Sequence, residues 1–261
     1  MQVAILCGGL GSRIRESGEL IPKPMLPIGG KPILWHIMKG YASCGLKDFV
    51  LCLGYKGMVI RDFFVNFRTN VSDCTLSLGG PREIVFHTEF DESDWRVTLA
   101  DTGESTMTGG RLWRIRHYLE GDHFCLTYGD GVADINIQSL IEQHKKSGLV
   151  ATVTAVRAVG RFGEIDVDPS GRVRVFNEKP PATSGRISGG FFVFDNRRIW
   201  DFLDDRADLT FEREPLENLA RAGQLGVYDH DGYWQCMDTP REHALLNDLW
   251  NRGQAPWKVW R

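Results

Sequence analysis

The 261 residues contain no C-x-x-C pair, no histidines at metal-ligand spacing, no block of like charge and no long apolar run. Each absence closes off a class of protein. The six cysteines, at positions 7, 44, 52, 74, 125 and 236, fall mostly inside apolar runs, which predicts buried, reduced thiols rather than a disulfide framework. The seven histidines are scattered, which argues against a zinc or iron site. A formal charge of −3 leaves no electrostatic footprint for nucleic acid, so a small anionic ligand would have to be captured locally. Before the first glycines only Val3 to Cys7 are apolar, too few for a signal-peptide core or a membrane span. A cytoplasmic chain without membrane attachment is therefore expected. No repeat, low-complexity tract or linker divides it, so one domain spanning 1–261 is expected.

What is present is concentrated near the N-terminus. Leu6-Cys7-Gly8-Gly9-Leu10-Gly11-Ser12-Arg13 follows the apolar run Val3 to Leu6 and precedes Pro22-Lys23-Pro24-Met25. Three glycines in four positions let the backbone fold back so that several N–H groups converge on anionic oxygens. Arg13 offers a fork suited to phosphate, and Lys23 a charge on a flexible stem. A dinucleotide fingerprint starting at Gly9 and Gly11 would need glycine where Ile14 stands. A P-loop would need glycine at Met25 and a hydroxyl residue at Pro32. A bare tight turn is the remaining alternative, and the adjoining strand, arginine and lysine weigh against it.

Apolar runs at Val3 to Leu6, Phe49 to Leu53, Phe124 to Tyr128 and Val150 to Val156 alternate with helical periodicity at Ile33 to Ala42 and Ile135 to His144. This predicts an α/β fold: a mostly parallel sheet flanked by helices, with ligands beyond the carboxyl ends of its strands. Glu83 to Glu89 and Arg96 to Leu99 read as strands, and Gly110 to Tyr118 as a short helix. Arg114 and Arg116 are assigned to a solvated helix face. Arg111, after the flexible turn Thr108-Gly109-Gly110, is placed where it can meet a bound anion. Glu164 to Val167, Val173 to Phe176 and Gly190 to Phe194 have β character. Glu214 to Arg221 and Pro240 to Trp250 read as helices, the second capped by Thr239.

The pattern G-G-x-G-[ST]-R followed by K-P-M resembles the opening of the sugar-1-phosphate nucleotidyltransferases. Tyr128-Gly129-Asp130-Gly131, Asn177-Glu178-Lys179-Pro180, Ser188-Gly189-Gly190-Phe191 and Trp234-Gln235-Cys236-Met237-Asp238-Thr239 follow in that family's order. Asp101-Thr102-Gly103, Thr108-Gly109-Gly110-Arg111 and Ala255-Pro256-Trp257-Lys258-Val259-Trp260 are most similar to its glucose-1-phosphate cytidylyltransferases. The resemblance implies a Rossmann-like mixed sheet with a β-rich sugar-binding extension, the nucleotide-diphospho-sugar transferase fold. Residues 1–135 would then be mainly the nucleotide-binding half, and 136–261 mainly the sugar-binding half, which extends the same sheet. It also implies CTP and glucose 1-phosphate as substrates, Mg2+ as cofactor, and a homo-oligomer, often a hexamer. Dideoxysugar synthesis for a bacterial surface polysaccharide would be the pathway served.

Joining a sugar phosphate to a nucleotide brings an anionic oxygen against an α-phosphorus already crowded by negative oxygens. Cations and in-line positioning matter more than a general base. Lys23 is the candidate between the sugar phosphate and the α-phosphate, Arg13 the candidate on the leaving pyrophosphate, and Asp130 completes the catalytic set. Magnesium is commonly held by one or two carboxylates plus phosphate oxygens, which nominates Asp130 and Asp238. The nucleotide would be cradled by Leu6, Cys7, Gly8, Gly9, Leu10, Gly11, Ser12, Arg13, Lys23, Thr106, Arg111 and Gly129. The sugar phosphate would meet Gly163, Glu178, Lys179, Gly189 and Gly190. Cys7, beside the loop, is expected to be open to alkylation that blocks nucleotide binding. The base is not decided by the residues themselves: UTP or dTTP would use the same chemistry, and a catalytically silent sugar-nucleotide sensor would share the same motifs.

Overall fold

The computed structural model describes residues 1–9, 21–79, 83–157 and 185–260, together with the strand backbones at 164–167 and 173–177. Its centre is a seven-stranded sheet of β1 (Val3–Leu6), β2 (Asp48–Leu53), β3 (Arg96–Asp101), β4 (His123–Tyr128), β5 (Ala151–Val156), β6 (Ile187–Asp195) and β7 (Leu225–His230). The strands lie in the order β7-β5-β6-β4-β1-β2-β3. Strand β6 runs antiparallel to both neighbours, β4 and β5, and every other neighbouring pair is parallel. The first four strands of the sequence therefore fill one side of the sheet and the last three the other. They join where Phe191 pairs with Thr127.

Unbroken apolar runs form these strands because both sheet faces are covered. Side chains alternate in direction along each strand: Val3, Ile5, Phe49, Leu51 and Val193 enter one core, and Ala4, Val50, Phe124, Phe192 and Phe194 the other. The helix Ile33–Ala42 closes the first core with Ile33, Leu34, Ile37, Met38 and Tyr41, helped by Ile137–Ser147 through Leu140 and Ile141. The second is closed by Leu112, Ile199, Phe211 and Leu219. The C-terminal segment is pinned onto the first core. Trp257 is buried and stacked near Trp250, and its Nε1–H donates to Nδ1 of buried His36, whose Nε2–H reaches the Ile28 carbonyl. Burial lowers the His36 pKa to about 4, which keeps that ring neutral and able to accept from tryptophan.

One detail corrects the sequence expectations. The strands Glu164–Val167 and Val173–Asn177 pair with one another as a two-stranded sheet instead of widening the central one. Their short connection makes the local hairpin the nearest partner, while β6 takes the place beside β4 and β5. Within the two spans that read as strands, Ile84–Phe86 pairs with Cys74–Leu76 outside the main sheet, and Arg96–Asp101 joins its edge. No described helix is long and apolar enough to cross a membrane.

Candidate active site

The carboxyl ends of β1, β2, β3 and β4 share one rim with the start of β6, because β6 runs the opposite way. Beyond β1, the Cys7 N–H donates to the Cys52 carbonyl at 3.1 Å, and the Gly129 N–H to the Leu6 carbonyl at 3.0 Å, so the parallel ladder continues into the glycines. Gly8 admits no side chain: a Cβ there would lie 2.2 Å from the guanidinium carbon of Arg111. Gly190, with φ of +79°, likewise lets the Tyr128 ring approach to where its own Cβ would be, 2.5 Å away.

Lys23 opens a 3-10 turn, Lys23–Met25, closed by the Met25 N–H donating to the Pro22 carbonyl at 2.8 Å. Pro24 and Met25 are buried and fix the backbone, which leaves the lysine stem reaching into the cleft. Asp130 follows β4. Asp238 arrives from far along the chain because Trp234–Cys236 pairs with Gly131–Ala133, and the Met237 N–H donates to the Asp130 carbonyl at 2.8 Å. An aspartate before a helix usually caps it. Here Thr239 takes that task, accepting from the Glu242 N–H, while the Glu242 carboxylate accepts from the Thr239 N–H. The Asp238 side chain is left to face the cleft.

The Lys23 ammonium donates to Asp130 Oδ2 and to Asp238 Oδ1, each at 2.5 Å, so the two oxygens are no more than about 5 Å apart. Burial works against the lysine charge, but the two carboxylates outweigh it and raise its pKa. All three groups line a cavity of about 430 Å³. Leu6, Cys7, Gly8, Gly9, Thr106, Arg111 and Gly129 line it too. Gly189 and Gly190 are the third and fourth residues of β6, with Gly190 against the Tyr128 ring. Leu10, Gly11, Ser12, Arg13, Gly163, Glu178 and Lys179 lie outside the described residues.

Arg111 lines the cavity, as expected of a residue near a bound anion, and its guanidinium also braces the surrounding loops. Its helix begins at Thr108, so Gly109 and Gly110 sit within the helix, packed on the backbone of Leu209 and Arg206, rather than in a flexible turn. The guanidinium is buried. Nη1 donates to the Leu53 and Gly103 carbonyls and the Thr102 hydroxyl, and Nη2 to the carbonyls of Gly8 and Glu104, at 2.8–3.1 Å. It thus ties the loops after β1, β2 and β3 together beneath the cavity. Desolvation lowers its pKa, and the neighbouring thiols of Cys52 and Cys7 partly offset this. Arg114 is not simply solvated either: it donates to the Thr102 carbonyl and Thr106 Oγ1. Arg116 stays outside, over the face of Trp113.

Cys7 is buried, not open to reagents. Burial raises its pKa well above the ordinary value, with Cys52 adding to the effect. Reasoning from sequence missed Glu212, whose carboxylate accepts from both the Tyr128 hydroxyl and the Thr108 hydroxyl at the cavity wall. It also missed Glu104, Ser105 and Met107 as lining residues. The run Thr106-Met107-Thr108 before Gly109 was a usable signal for that wall; Glu212 carried none.

Residues 2–241 match the family described as nucleotidyl transferase. Over 261 residues and 100% of both chains, this sequence is 49% identical to a glucose-1-phosphate cytidylyltransferase of Salmonella typhi. It is 42% identical, again over 100% of both chains, to a probable glucose-1-phosphate cytidylyltransferase of Bacillus subtilis. Its fold is similar to that of HddC from Yersinia pseudotuberculosis, with a TM-score of 0.67 at 22% identity over 95% of this chain and 99% of that one. With its glycine-lined cavity, its lysine and aspartate cluster and these full-length relatives, the chain belongs to the nucleotidyl transferase family, in the group of the glucose-1-phosphate cytidylyltransferases.

Proposed function

We propose that the chain transfers the cytidylyl group of CTP to α-D-glucose 1-phosphate, giving CDP-glucose and pyrophosphate. The observation that carries this reading is the convergence of Lys23, Asp130 and Asp238 on one cavity floored by Gly8, Gly9 and Gly129. A sugar-phosphate oxygen attacks the α-phosphorus, and the bond from that phosphorus to the β-phosphate oxygen breaks, so pyrophosphate leaves with the electron pair. Lys23 neutralises charge between the two reacting phosphates. The glycine turn presents N–H groups to the triphosphate, and Arg13 accompanies the leaving group. Arg111 acts from below by fixing the Gly8 carbonyl. Glu178, Lys179, Gly163, Gly189 and Gly190 receive the sugar phosphate.

The donor set suits a hard divalent ion. Two carboxylate oxygens already flank a cation, the Lys23 ammonium, and no set of three or more Asp, Glu, His or Cys side chains among the described residues is arranged to hold a metal. An ion that completes its sphere with phosphate and water oxygens, as magnesium does, fits such a pair. Asp130 and Asp238 would hold it, and when bound it would offset triphosphate charge. By resemblance to its relatives, the chain works as a single domain in a cytoplasmic homo-oligomer, a hexamer, and supplies dideoxysugar synthesis for a surface polysaccharide. Pyrophosphate release with glucose 1-phosphate, magnesium and CTP, UTP or dTTP in parallel tests the reading. Release with CTP foremost is expected; release with none would favour a regulatory binder, and preference for another nucleotide would overturn the cytidylyl assignment.

A further inference from the structure

We propose that Lys23 occupies the cation position between Asp130 and Asp238 in the nucleotide-free protein, excluding free divalent metal until a nucleotide draws the ammonium away. The inference rests on the reading of these two aspartates as the metal holders. Its basis is geometric. One nitrogen lies 2.5 Å from an oxygen of each carboxylate. A magnesium ion needs its oxygens at about 2.0–2.1 Å and would claim the space between the same two atoms. Ammonium and metal cannot both sit there.

The lysine is also built to move. Its backbone is fixed by a proline on either side and by the burial of Pro24 and Met25, so an exchange is confined to the four-carbon stem. A triphosphate entering the cavity supplies two things at once: oxygens that complete the metal's sphere and an anion that takes the displaced ammonium. Metal and nucleotide then bind cooperatively, each raising the affinity of the other by the same factor.

Mn2+ binding to the nucleotide-free full-length chain, followed by loss of the free-ion electron paramagnetic resonance signal, tests this. Lys23→Met is expected to bind Mn2+ at least tenfold more tightly than wild type, and Lys23→Met with Asp130→Asn to fall back to the wild-type level. Equal affinity of wild type and Lys23→Met, with both weakened by Asp130→Asn, would overturn the inference while sparing the aspartate reading. Tight binding that survives Asp130→Asn would overturn the aspartate reading and the inference with it. Lys23→Ala gives a second test should the methionine variant fail to fold. Added propylammonium, which restores the missing stem, must compete with Mn2+ in that variant and leave wild type unaffected; lack of competition would overturn the proposal.

Discussion

Replacing Arg111 by lysine keeps the charge and removes the fork. The guanidinium makes five hydrogen bonds spread over two nitrogens and reaching four carbonyls and one hydroxyl. A single ammonium has three donors, so at least two of the five acceptors lose this donor. Bonds to a charged donor contribute about 1.5–3 kcal/mol each, which puts the cost near 3 kcal/mol at the low end. For a chain of this size that corresponds to a fall in Tm of about 6–12 °C. Two of the acceptors, Gly8 and Glu104, line the cavity, so the KM for CTP should rise in parallel. Thermal unfolding of Arg111→Lys, without and with CTP, measures both. If the arginine served only as a direct ligand contact, the KM would rise with Tm unchanged. That outcome would refute the bracing role.

Cys7 should resist iodoacetamide in the folded protein while the half-buried Cys44 and Cys74 react first; stoichiometric native labelling of Cys7, read by peptide mass spectrometry, would contradict its burial. His36 and His144 are both held neutral by burial, with pKa values lowered from 6.5 to about 4. Unfolded chains bind these protons first, so stability is full above pH 6.5 and is lost as pH falls toward 4. The loss at pH 4.5 is at most about 2.5 kcal/mol for each histidine. Denaturant midpoints at pH 7 and 4.5 should show a steep drop in wild type and a shallower one in His36→Gln; identical slopes would exclude His36 as a contributor. Thr239→Ala removes one arm of the capping box and should cost about 1 kcal/mol by urea unfolding, with Thr239→Ser restoring most of it.

Elements governed by local pattern were legible in the chain. The helix Ile33–Ala42 has the bounds its apolar spacing predicts, and Glu214–Arg221 likewise. Thr239 followed by Glu242 announces a capped helix start, and with that cap in place Asp238 turns its side chain to Lys23. Gly8-Gly9, Lys23 and Gly129-Asp130 could be nominated because each stands at the end of a strand or in a proline-fixed turn. What escaped depended on distant partners. The destination of Arg111 is set by carbonyls 7 to 103 residues away, and a charge on a short helix gives no hint of them. Cys7 was misjudged because adjacency to glycines speaks of backbone freedom, whereas its exposure is decided by the core residues of other elements packed around it. Pairing of Glu164–Val167 was misplaced for a similar reason: β character specifies a strand but not its neighbour.

The join between the two sides of the sheet gives the Lys23 cluster a further property. Lys23 and Asp130 travel with the block of β1 to β4, whereas Asp238 comes after β7, and the small pairing of Gly131–Ala133 with Trp234–Cys236 bridges them. Slippage of that pairing by one residue would shift Asp238 by about 3.4 Å, more than the 2.5 Å contact it makes. The ion pair therefore serves as an alignment gauge for the whole molecule, intact only when both blocks are in register.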